Sequence, residues 1–248
     1  MALKREEDPA VVTAIVPAYN EEDRIFSVLE TLCRTEIIKE IIVVDDGSKD
    51  GTKNVVSRFK RVKYLRNSLN MGKGFSLEKG VKDAVGDIIF FCDADLDGLG
   101  PTMVEEIVNP VLHKKFDMFV GAREYKENIF TKIFVSLESK WGIYPTTGQR
   151  ALRKEIWEKL PERYKRNYKA EVGLNYFARR YGRGLGFKKF VYGHIKKERK
   201  FGILKGLYIK FNMYADVISA SLRLRFLDRK ALWLSKRRGG QRKPARYF

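Results

Sequence analysis

The sequence predicts an α/β protein with a mainly parallel central sheet flanked by helices. Short apolar segments rich in Val, Ile and Phe alternate with longer segments of helical periodicity, as in a parallel sheet covered on both faces. The composition, 44% hydrophobic with 12% aromatic residues over 248 positions, supports a substantial core and excludes wholesale disorder. Two apolar segments end in acidic residues, and in such sheets ligands bind beyond the carboxyl ends of the strands.

The first half of the chain contains four predicted strands that alternate with three predicted helices. The helices carry apolar residues at three- and four-residue spacing; Ile25, Val28, Leu29 and Leu32, for example, share one helical face. The predicted strands cover residues 11–17, 40–45, 62–65 and 87–92, and the predicted helices cover residues 21–34, 51–59 and 73–85.

The second half is less regular. Its apolar patterns predict strands over residues 116–121 and 148–152 and helices over residues 128–140, 169–181 and 203–220. The last helix is amphipathic, with apolar residues on one face, a pattern that suits either a core-covering helix or a membrane-surface element. Residues 237–248, RRGGQRKPARYF, are expected to form a flexible end.

The charge is concentrated near the C-terminus. The whole chain has a net charge of +19, and residues 195–248 contain 16 basic and 3 acidic residues, a net charge of 16 − 3 = +13. Such segregation indicates an anionic partner, and an anionic membrane surface fits the amphipathic pattern best. A nucleic-acid-binding module would require basic or aromatic readout motifs that the sequence does not contain, so no nucleic-acid partner is expected.

The remaining composition suggests a cytoplasmic location. Cys33 and Cys92 lie in apolar stretches and are expected to be core thiols in a reducing compartment. The charged N-terminus, MALKREEDPA, lacks a secretory signal pattern, and no apolar run approaches the roughly 18 to 20 residues that span a bilayer. We therefore expect a cytoplasmic protein that binds peripherally to the cytoplasmic face of a membrane.

The stretch FFCDADLD (90–97) places three carboxylates directly after an apolar strand. Asp93 ends the strand, whereas Asp95 lies in the turn beyond, so both side chains can approach one site. Hard divalent cations prefer carboxylate oxygens, and Mg²⁺ commonly takes one or two carboxylates together with substrate phosphates. Asp45 and Asp46 end a second strand at the same predicted edge, which favours a metal-assisted site there over an exposed acidic loop.

Four motifs occur in order: VPAYNEEDRI (16–25), VVDDGSKDGT (43–52), NMGKGFSLEKGV (70–81) and CDADLD (92–97). Together they resemble the nucleotide-sugar-binding half of family 2 glycosyltransferases with the GT-A fold, and most closely the dolichol-phosphate and polyprenyl-phosphate mannose (glycosyl) synthase branch. The resemblance is specific over residues 1–125 and looser to about residue 194. It implies a GT-A domain over residues 1–200, with an acceptor half over residues 126–200 and a basic amphipathic tail over residues 201–248.

The resemblance implies a binding site for a GDP- or UDP-linked sugar and a divalent cation, Mg²⁺ or Mn²⁺. Asp95 would be the principal, catalytic metal ligand, and Asp97 is a further candidate ligand. The other implied donor-site residues contact base, ribose, phosphate or sugar: Pro17, Ala18, Tyr19, Glu21, Asp46, Lys73 and Asp93, the last also near the metal. Alternatively, Pro17 and Tyr19 terminate a strand and Lys73 starts a helix. For Asn20 we expect a cap on the following helix.

The acceptor is expected to bind the second half. Gln149 and Arg150, in GQRAL, resemble the family's strand at the sugar and acceptor site. Glu171 occupies the position of an acidic residue that faces the acceptor in related enzymes, where it could act as general base; alternatively it is a first-turn Glu favoured by the helix dipole. His194 resembles a histidine that completes the metal site in some relatives; alternatively it is a structural histidine. Further phosphate-binding candidates are basic: Arg123, Lys196 and Arg199.

The resemblance thus implies a metal-dependent, inverting hexosyltransferase. The acceptor implied by the resemblance is a lipid phosphate, polyprenyl (dolichyl) phosphate, and the alternative is a soluble phosphorylated acceptor such as 3-phosphoglycerate. Asp97 and TTGQRAL (146–152) differ from the sequence motifs that are usual in the lipid-phosphate branch. Glu171 and His194 favour the soluble acceptor, whereas the basic tail favours the lipid.

Overall fold

Four parallel strands form one side of the central sheet: β1 (Val12–Ala18), β2 (Glu40–Asp45), β3 (Val62–Arg66) and β4 (Ile88–Phe91). The computed structural model describes residues 10–124, 147–166, 169–180, 183–194, 212, 215–228 and 246–247. β1 lies between β2 and β4 and is parallel to both, and β2 is parallel to β3. The four strands predicted here are confirmed, with ends that differ by one residue at most.

The helices of the first half are α1 (Ile25–Arg34), α2 (Thr52–Val56), α3 (Lys73–Asp83) and α4 (Pro101–Leu112). The first three confirm predicted helices. However, α1 begins four residues later than predicted, because Asn20 adopts a left-handed backbone (φ 54°) and residues 22–24 form a turn. Helix α4 was not among the predicted elements, although Pro at its first position is a favourable start.

The residues after α4 complete the sheet with β6 (Met118–Arg123), β7 (Arg150–Arg153), β8 (Leu185–Phe190) and β10 (Arg246–Tyr247). The strand order in the described residues is β10-β8-β6-β7-β4-β1-β2-β3. β7 is antiparallel to both neighbours, β4 and β6, whereas the other pairs are parallel. The expectation of a flexible C-terminal end is wrong for β10, whose two residues pair with β8.

Outside the large sheet, β5 (Leu96–Asp97) and β9 (Gly193–His194) form a short antiparallel pair. The second half also contains α5 (Lys154–Glu158), a 3₁₀ helix (Glu162–Tyr164) and α6 (Lys169–Ala178), which confirms most of the helix predicted over residues 169–181.

The C-terminal segment, defined here as residues 215–228, is helical and ends in a π-helical turn at residues 223–227. The helix predicted over residues 128–140 and most of the helix predicted over residues 203–220 lie outside the described residues. Within the described residues, no helix has the length and apolar content needed to cross a bilayer.

The core lies on both faces of the sheet, as continuous apolar strands require. Successive strand residues alternate between the faces: Ile41 and Val43 of β2 pack with α1 and α4, whereas Ile42 and Val44 pack on the α3 side. Helices α5 and α6 and the C-terminal segment cover that second face. The predicted two-sided, mainly parallel α/β sheet is therefore confirmed.

Candidate active site

The candidate site lies at the carboxyl ends of β1, β2 and β4. Ala18, the last residue of β1, is in register with Asp45, the last residue of β2, so the motifs that follow these strands share one rim. Asp93 follows β4 at the same rim, two residues after Phe91. The sequence predicted that these acidic residues lie at the same edge of the sheet because each follows a parallel strand. The parallel register confirms this placement.

A charged cluster joins the two halves of the chain at this rim. The ammonium group of Lys73, the first residue of α3, lies 2.7 Å from Asp93 Oδ1 and 3.3 Å from Glu171 Oε1. Glu171 is in the first turn of α6, so three residues from distant segments converge. Lys73 therefore sits between two carboxylates that would otherwise repel each other. Lys73 does start α3, as its structural interpretation predicts, and its predicted contact with a phosphate stays a prediction.

The second oxygen of Asp93 is held by Gln149. The Gln149 amide donates from Nε2 to Asp93 Oδ2 over 3.0 Å, and Gln149 Oε1 lies 3.2 Å from the buried Tyr192 hydroxyl. Tyr192 is also 3.0 Å from the carbonyl oxygen of Gly121 in β6. The sequence prediction did not include Tyr192; its position between β8 and His194 was the available signal. These contacts fix the orientation of Asp93.

Gly148 makes room for the Asp93 carboxylate. A Cβ atom at Gly148 would lie 2.3 Å from Asp93 Oδ2 and 2.5 Å from Oδ1, well inside van der Waals contact. The backbone of the GQRAL segment thus packs directly against the carboxylate. A glycine is required here for close approach rather than for an unusual φ angle.

Asp95 is half-buried in the turn after β4, and the β5–β9 pair brings His194 close to it in the backbone. Leu96 is in register with His194, and the exposed Asp97 with Gly193. Asp95, the predicted principal metal ligand, is thus adjacent in sequence to Leu96, which pairs with His194.

Among the described side chains, no group of three His, Cys, Asp or Glu is arranged to hold a metal ion. Asp93 is engaged by Lys73 and Gln149, and Asp95, half-buried in the turn that follows, is the predicted carboxylate ligand of this motif. A site that takes one carboxylate plus substrate phosphates is the usual pattern for Mg²⁺, so the donor set fits a hard divalent cation shared with a diphosphate.

Asp46 organises the loop that leads into α3. Its carboxylate, which is buried, accepts hydrogen bonds from the backbone N–H groups of Met71 and Gly72, over 2.9 and 2.7 Å, and from Asn67 Nδ2 over 2.8 Å. Since Gly72 precedes Lys73, Asp46 sets the start of α3 and hence the position of the Lys73 side chain. The predicted contact of Asp46 with base or ribose stays a prediction.

Asp45 is fully buried and holds the turn at the end of β2. It accepts hydrogen bonds from Ser48 N over 2.7 Å, from Arg66 Nη1 over 3.1 Å and from the Tyr64 hydroxyl. Burial, reinforced by the Asp45 hydrogen bond, raises the pKa of Tyr64 to about 12, so this phenol stays protonated at physiological pH. The first Asp of the DDGS motif is therefore structural.

The PAYNEED segment packs against the same turn. Asn20 donates from its backbone N–H to Ser48 Oγ over 2.9 Å, and its side-chain Oδ1 accepts from Lys49 N over 2.8 Å. Helix α1 has no side-chain cap, so the expectation that Asn20 caps it is wrong: its left-handed backbone aims the side chain at the β2 turn instead. The buried Glu21 forms a 2.6 Å ion pair with Arg24.

The remaining donor-site candidates lie at the end of β1 on the same rim. Pro17 and Ala18 are the last two residues of β1, and Tyr19 follows them half-buried. The expectation that Pro17 ends the strand is wrong by one residue, because β1 continues to Ala18 and Tyr19 is the first residue after it. Contacts of Pro17, Ala18, Tyr19 and Glu21 with a nucleotide stay predictions.

Arg150 is buried within β7 and bonds to protein groups. Its guanidinium donates to the Thr147 carbonyl, over 3.1 Å from Nε, to the Glu171 carbonyl over 3.3 Å and to Asn175 Oδ1 over 3.2 Å. Burial lowers the pKa of Arg150, and the nearby Glu171 and Asp93 carboxylates oppose that shift. These contacts make Arg150 a support for the start of α6. Its predicted contact with an acceptor phosphate stays a prediction.

The other acceptor candidates lie at or beyond the edge of the described residues. Arg123 is the last residue of β6, half-buried and in register with Phe190 of β8. Lys196 and Arg199 lie outside the described residues.

Cys92, which precedes Asp93, is fully buried, and burial together with Asp93 and Asp95 raises the pKa of its thiol well above its usual value. Cys92 is therefore a core residue, as expected, and not a nucleophile.

Comparisons with known proteins agree with this architecture. An uncharacterized protein of Methanocaldococcus jannaschii is 39% identical over 120 residues, which cover 47% of this chain and 48% of that protein. The dolichyl-phosphate beta-glucosyltransferase ALG5A of Trichomonas vaginalis is 39% identical over 114 residues, 40% of this chain and 34% of that protein. The chain therefore matches about half or less of the length of either relative.

A similar fold is found in a solved structure. Glucosyl-3-phosphoglycerate synthase from Mycobacterium tuberculosis, crystallised with Mn²⁺, UDP and glucosyl-3-phosphoglycerate, superposes with a TM-score of 0.68 at 23% identity, covering 86% of this chain and 80% of the other. The model of the family described as Glycosyl transferase family 2 matches residues 13–169, from β1 to the first residue of α6. The chain belongs to glycosyltransferase family 2.

Proposed function

We propose that this protein is a metal-dependent, inverting glycosyltransferase that transfers a hexose from a nucleotide sugar to polyprenyl phosphate at the cytoplasmic face of a membrane. The observation that carries the proposal is the cluster of Lys73, Asp93 and Glu171, in which residues of both halves converge beside Asp95. Family membership and the dolichyl-phosphate relative support the reaction class and the acceptor. The UDP and Mn²⁺ in the related crystal structure support a UDP-linked donor and a divalent cation.

In this reaction an acceptor oxygen attacks the sugar C1, and the bond from C1 to the diphosphate breaks, so that the nucleoside diphosphate leaves with the bonding electrons. Asp93, fixed by Gln149, is placed to orient the sugar, and Lys73 offers a positive charge to the diphosphate. A divalent cation held by Asp95 and, as a second proposed ligand, His194 would neutralise charge on the leaving group. A phosphate acceptor is already ionised and needs no general base.

The membrane part of the proposal rests on the C-terminal segment. Its outward side exposes the apolar residues Ile218, Leu222, Phe226 and Leu227, the last two each 69% exposed, beside the exposed Arg223 and Arg225. An apolar stripe flanked by arginines suits the boundary between anionic headgroups and acyl chains. A lipid-phosphate acceptor would lie at that boundary.

A second candidate is transfer to a soluble phosphorylated acceptor such as 3-phosphoglycerate. It is favoured by the fold match to glucosyl-3-phosphoglycerate synthase over 86% of this chain. A hydroxyl acceptor would need a general base, and Glu171, within 3.3 Å of Lys73 at the rim, is the proposed group.

The first test is a donor screen scored by released nucleoside diphosphate. UDP- and GDP-linked hexoses are each offered with polyprenyl phosphate, with 3-phosphoglycerate and without acceptor. We expect turnover with one donor and polyprenyl phosphate, and NMR of the product should show an anomeric configuration opposite to that of the donor. Turnover with 3-phosphoglycerate alone would select the second candidate, and no turnover with any pair would reject both.

A second experiment tests whether turnover requires a metal ion. Asp95→Ala and added chelator should each lower turnover by at least about 100-fold, because charge on the leaving diphosphate is then not neutralised. Asp87→Ala is the matched control: Asp87 is exposed at the opposite end of β4. We expect the control to keep wild-type turnover. Normal turnover of Asp95→Ala, or of wild type in chelator, would contradict the metal role.

A further inference from the structure

The C-terminal segment is attached to the acceptor half by an acidic residue at each end. At its end, the buried Asp228 accepts hydrogen bonds from the Tyr164 hydroxyl and, over 3.1 Å, from Arg163 Nε, and Arg223 lies 3.6 Å away. Near its start, Asp216 pairs with Lys169 over 3.4 Å. The two attachment points therefore lie on either side of the connection from the 3₁₀ helix to α6.

The inward face of the segment is also part of the core. Ala220 and Leu224, one turn apart, are buried in the same cluster as Tyr164, Ala170 and Leu174. Burial raises the pKa of Tyr164 to about 12, with a contribution from the Asp228 hydrogen bond, so the phenol stays a hydrogen-bond donor at physiological pH. Apolar packing thus holds the middle of the segment while the two acidic residues fix its ends.

The attached elements lead directly to the charged cluster. Lys169, the partner of Asp216, is the first residue of α6, and Glu171 follows in the same turn, 3.3 Å from Lys73. On the other side, Lys165, which follows the 3₁₀ helix, is buried and pairs with Glu78 of α3 over 3.3 Å. The 3₁₀ helix therefore lies between the C-terminal segment and α3, the helix that begins with Lys73.

We infer that Asp228 and Asp216 are positioning residues: they hold the C-terminal segment against the 3₁₀ helix and the start of α6, and so fix Glu171 beside Lys73. The inference rests on the proposed function, in which Glu171 and the elements around it face the acceptor. Asp228 is buried and Asp216 is half-buried, and each pairs with a cationic side chain. These pairs fix the position of the segment, because displacement of either end would leave a charge without its partner. The outer face of the segment stays available for the proposed membrane contact.

The variant that tests this is Asp228→Asn, which keeps the shape of the side chain and removes its charge. We expect the KM for the acceptor to rise about three- to ten-fold while the KM for the donor stays unchanged. Asp228→Glu, which restores the charge, should recover most of the wild-type KM. Glu30→Gln is the matched control. Glu30 pairs with Arg34 on the exposed side of α1, and α1 packs on the other face of the sheet.

A loss of folded protein alone would lower kcat and leave both KM values unchanged, and that result would overturn the inference. If Asp228→Asn does not fold, Arg163→Gln removes the half-exposed partner of the same carboxylate and is measured instead. Equal KM values in this variant and in wild type would likewise overturn it.

Hydrogen exchange separates this inference from the proposed function, because it needs no activity. In Asp228→Asn, amides of residues 169–178 should exchange at least about five-fold faster, with α1 unchanged. Unchanged exchange in α6 would overturn the inference even if the enzyme is active. If wild type shows no turnover, the proposed function fails, and exchange in α6 still decides whether the segment positions that helix.

Discussion

At the scale of single residues, the close approach of Gly148 to Asp93 makes the site sensitive to one methyl group. A Cβ at this position would lie 2.3 Å from a carboxylate oxygen, so either the carboxylate or the GQRAL backbone must move. Asp93 would then lose the orientation given by Gln149 and Lys73. In an active site a shift of this size is costly because reacting groups must be held within a fraction of an ångström.

We therefore expect Gly148→Ala to lower turnover by about 100-fold. The measurement is nucleoside diphosphate release at saturating substrates, with the melting temperature followed in parallel. Gly100→Ala is the control: a Cβ there meets nothing within 4 Å, so turnover should stay at the wild-type level. Equal activity of the two variants would show that Asp93 tolerates displacement or has no part in the reaction.

Single residues also show how far the sequence could lead. Lys73, Asp93 and Glu171 were each predicted as site residues from motif position, and the structure brings them together; their mutual ion pairs could not be predicted, because they depend on how α6 packs at the rim. Arg150 was predicted as an acceptor-site residue because the GQRAL segment resembles the family's acceptor-site strand. Its burial depends on acceptors from Thr147 and α6 that no local pattern reveals.

At the scale of elements, α3 is joined to the second half by a buried carboxylate. Glu78 accepts a hydrogen bond from Trp157 Nε1 of α5 and pairs with Lys165 over 3.3 Å and with Lys82 over 3.2 Å. Burial by itself raises the pKa of Glu78, but the Trp157 hydrogen bond and the two lysines outweigh it and hold the pKa below its usual value. The ionised form is thus favoured by folding.

The direction of this pKa shift determines how the stability of the protein depends on pH. A carboxylate whose pKa is lower in the folded state contributes stability that is present above its unfolded value and is lost as the pH falls through the folded value. Glu78→Gln should therefore unfold at lower urea concentration at neutral pH, and its deficit relative to wild type should shrink between about pH 5 and pH 3.

The check is a series of urea titrations across that pH range. Glu30→Gln, in an exposed ion pair, is the comparison and should differ little from wild type at any pH. A Glu78→Gln deficit that stays constant from neutral to acidic pH would show that lost packing, and not lost charge, causes the destabilisation.

The elements themselves were largely predictable, with instructive exceptions. Strands and helices of the first half follow clear apolar periods, and most of them were confirmed. The β5–β9 pair was missed because two-residue strands have no period, although it brings the His194 backbone opposite Leu96. Helix α1 was predicted too long because the left-handed conformation of Asn20 interrupts an otherwise helical pattern.

At the scale of the whole molecule, apolar exposure and positive charge coincide at the C-terminal segment. With Ile218 49% and Phe226 69% exposed next to arginines, we expect binding to vesicles that contain phosphatidylserine, weaker at high salt because screening reduces the electrostatic part. Replacing both residues by Ser should lower vesicle binding about ten-fold, since apolar insertion is lost.

Co-sedimentation with vesicles measures this effect. Val85→Ser is the matched control, because Val85 is also highly exposed, at the carboxyl end of α3 away from the segment. Undiminished sedimentation of the Ile218/Phe226 double variant would contradict the assignment of this face to the membrane. Deleting the whole tail is a poorer test, since it would also remove Asp228, Leu224 and β10 from the folded body.

The division of the chain into a donor half and an acceptor half, predicted from the motifs, does not coincide with the order of the strands. β7 belongs to the acceptor half (residues 126–200), yet in the described sheet it lies between β4 and β6, which both belong to the donor half (residues 1–125). The described partners of β6 are β7 and β8 alone, so a fragment cut after residue 125 would keep β6 without either partner. The nucleotide-sugar motifs are consequently not a portable module: an enzyme chimera has to carry the later strands along with them, or its grafted half loses an edge of its sheet.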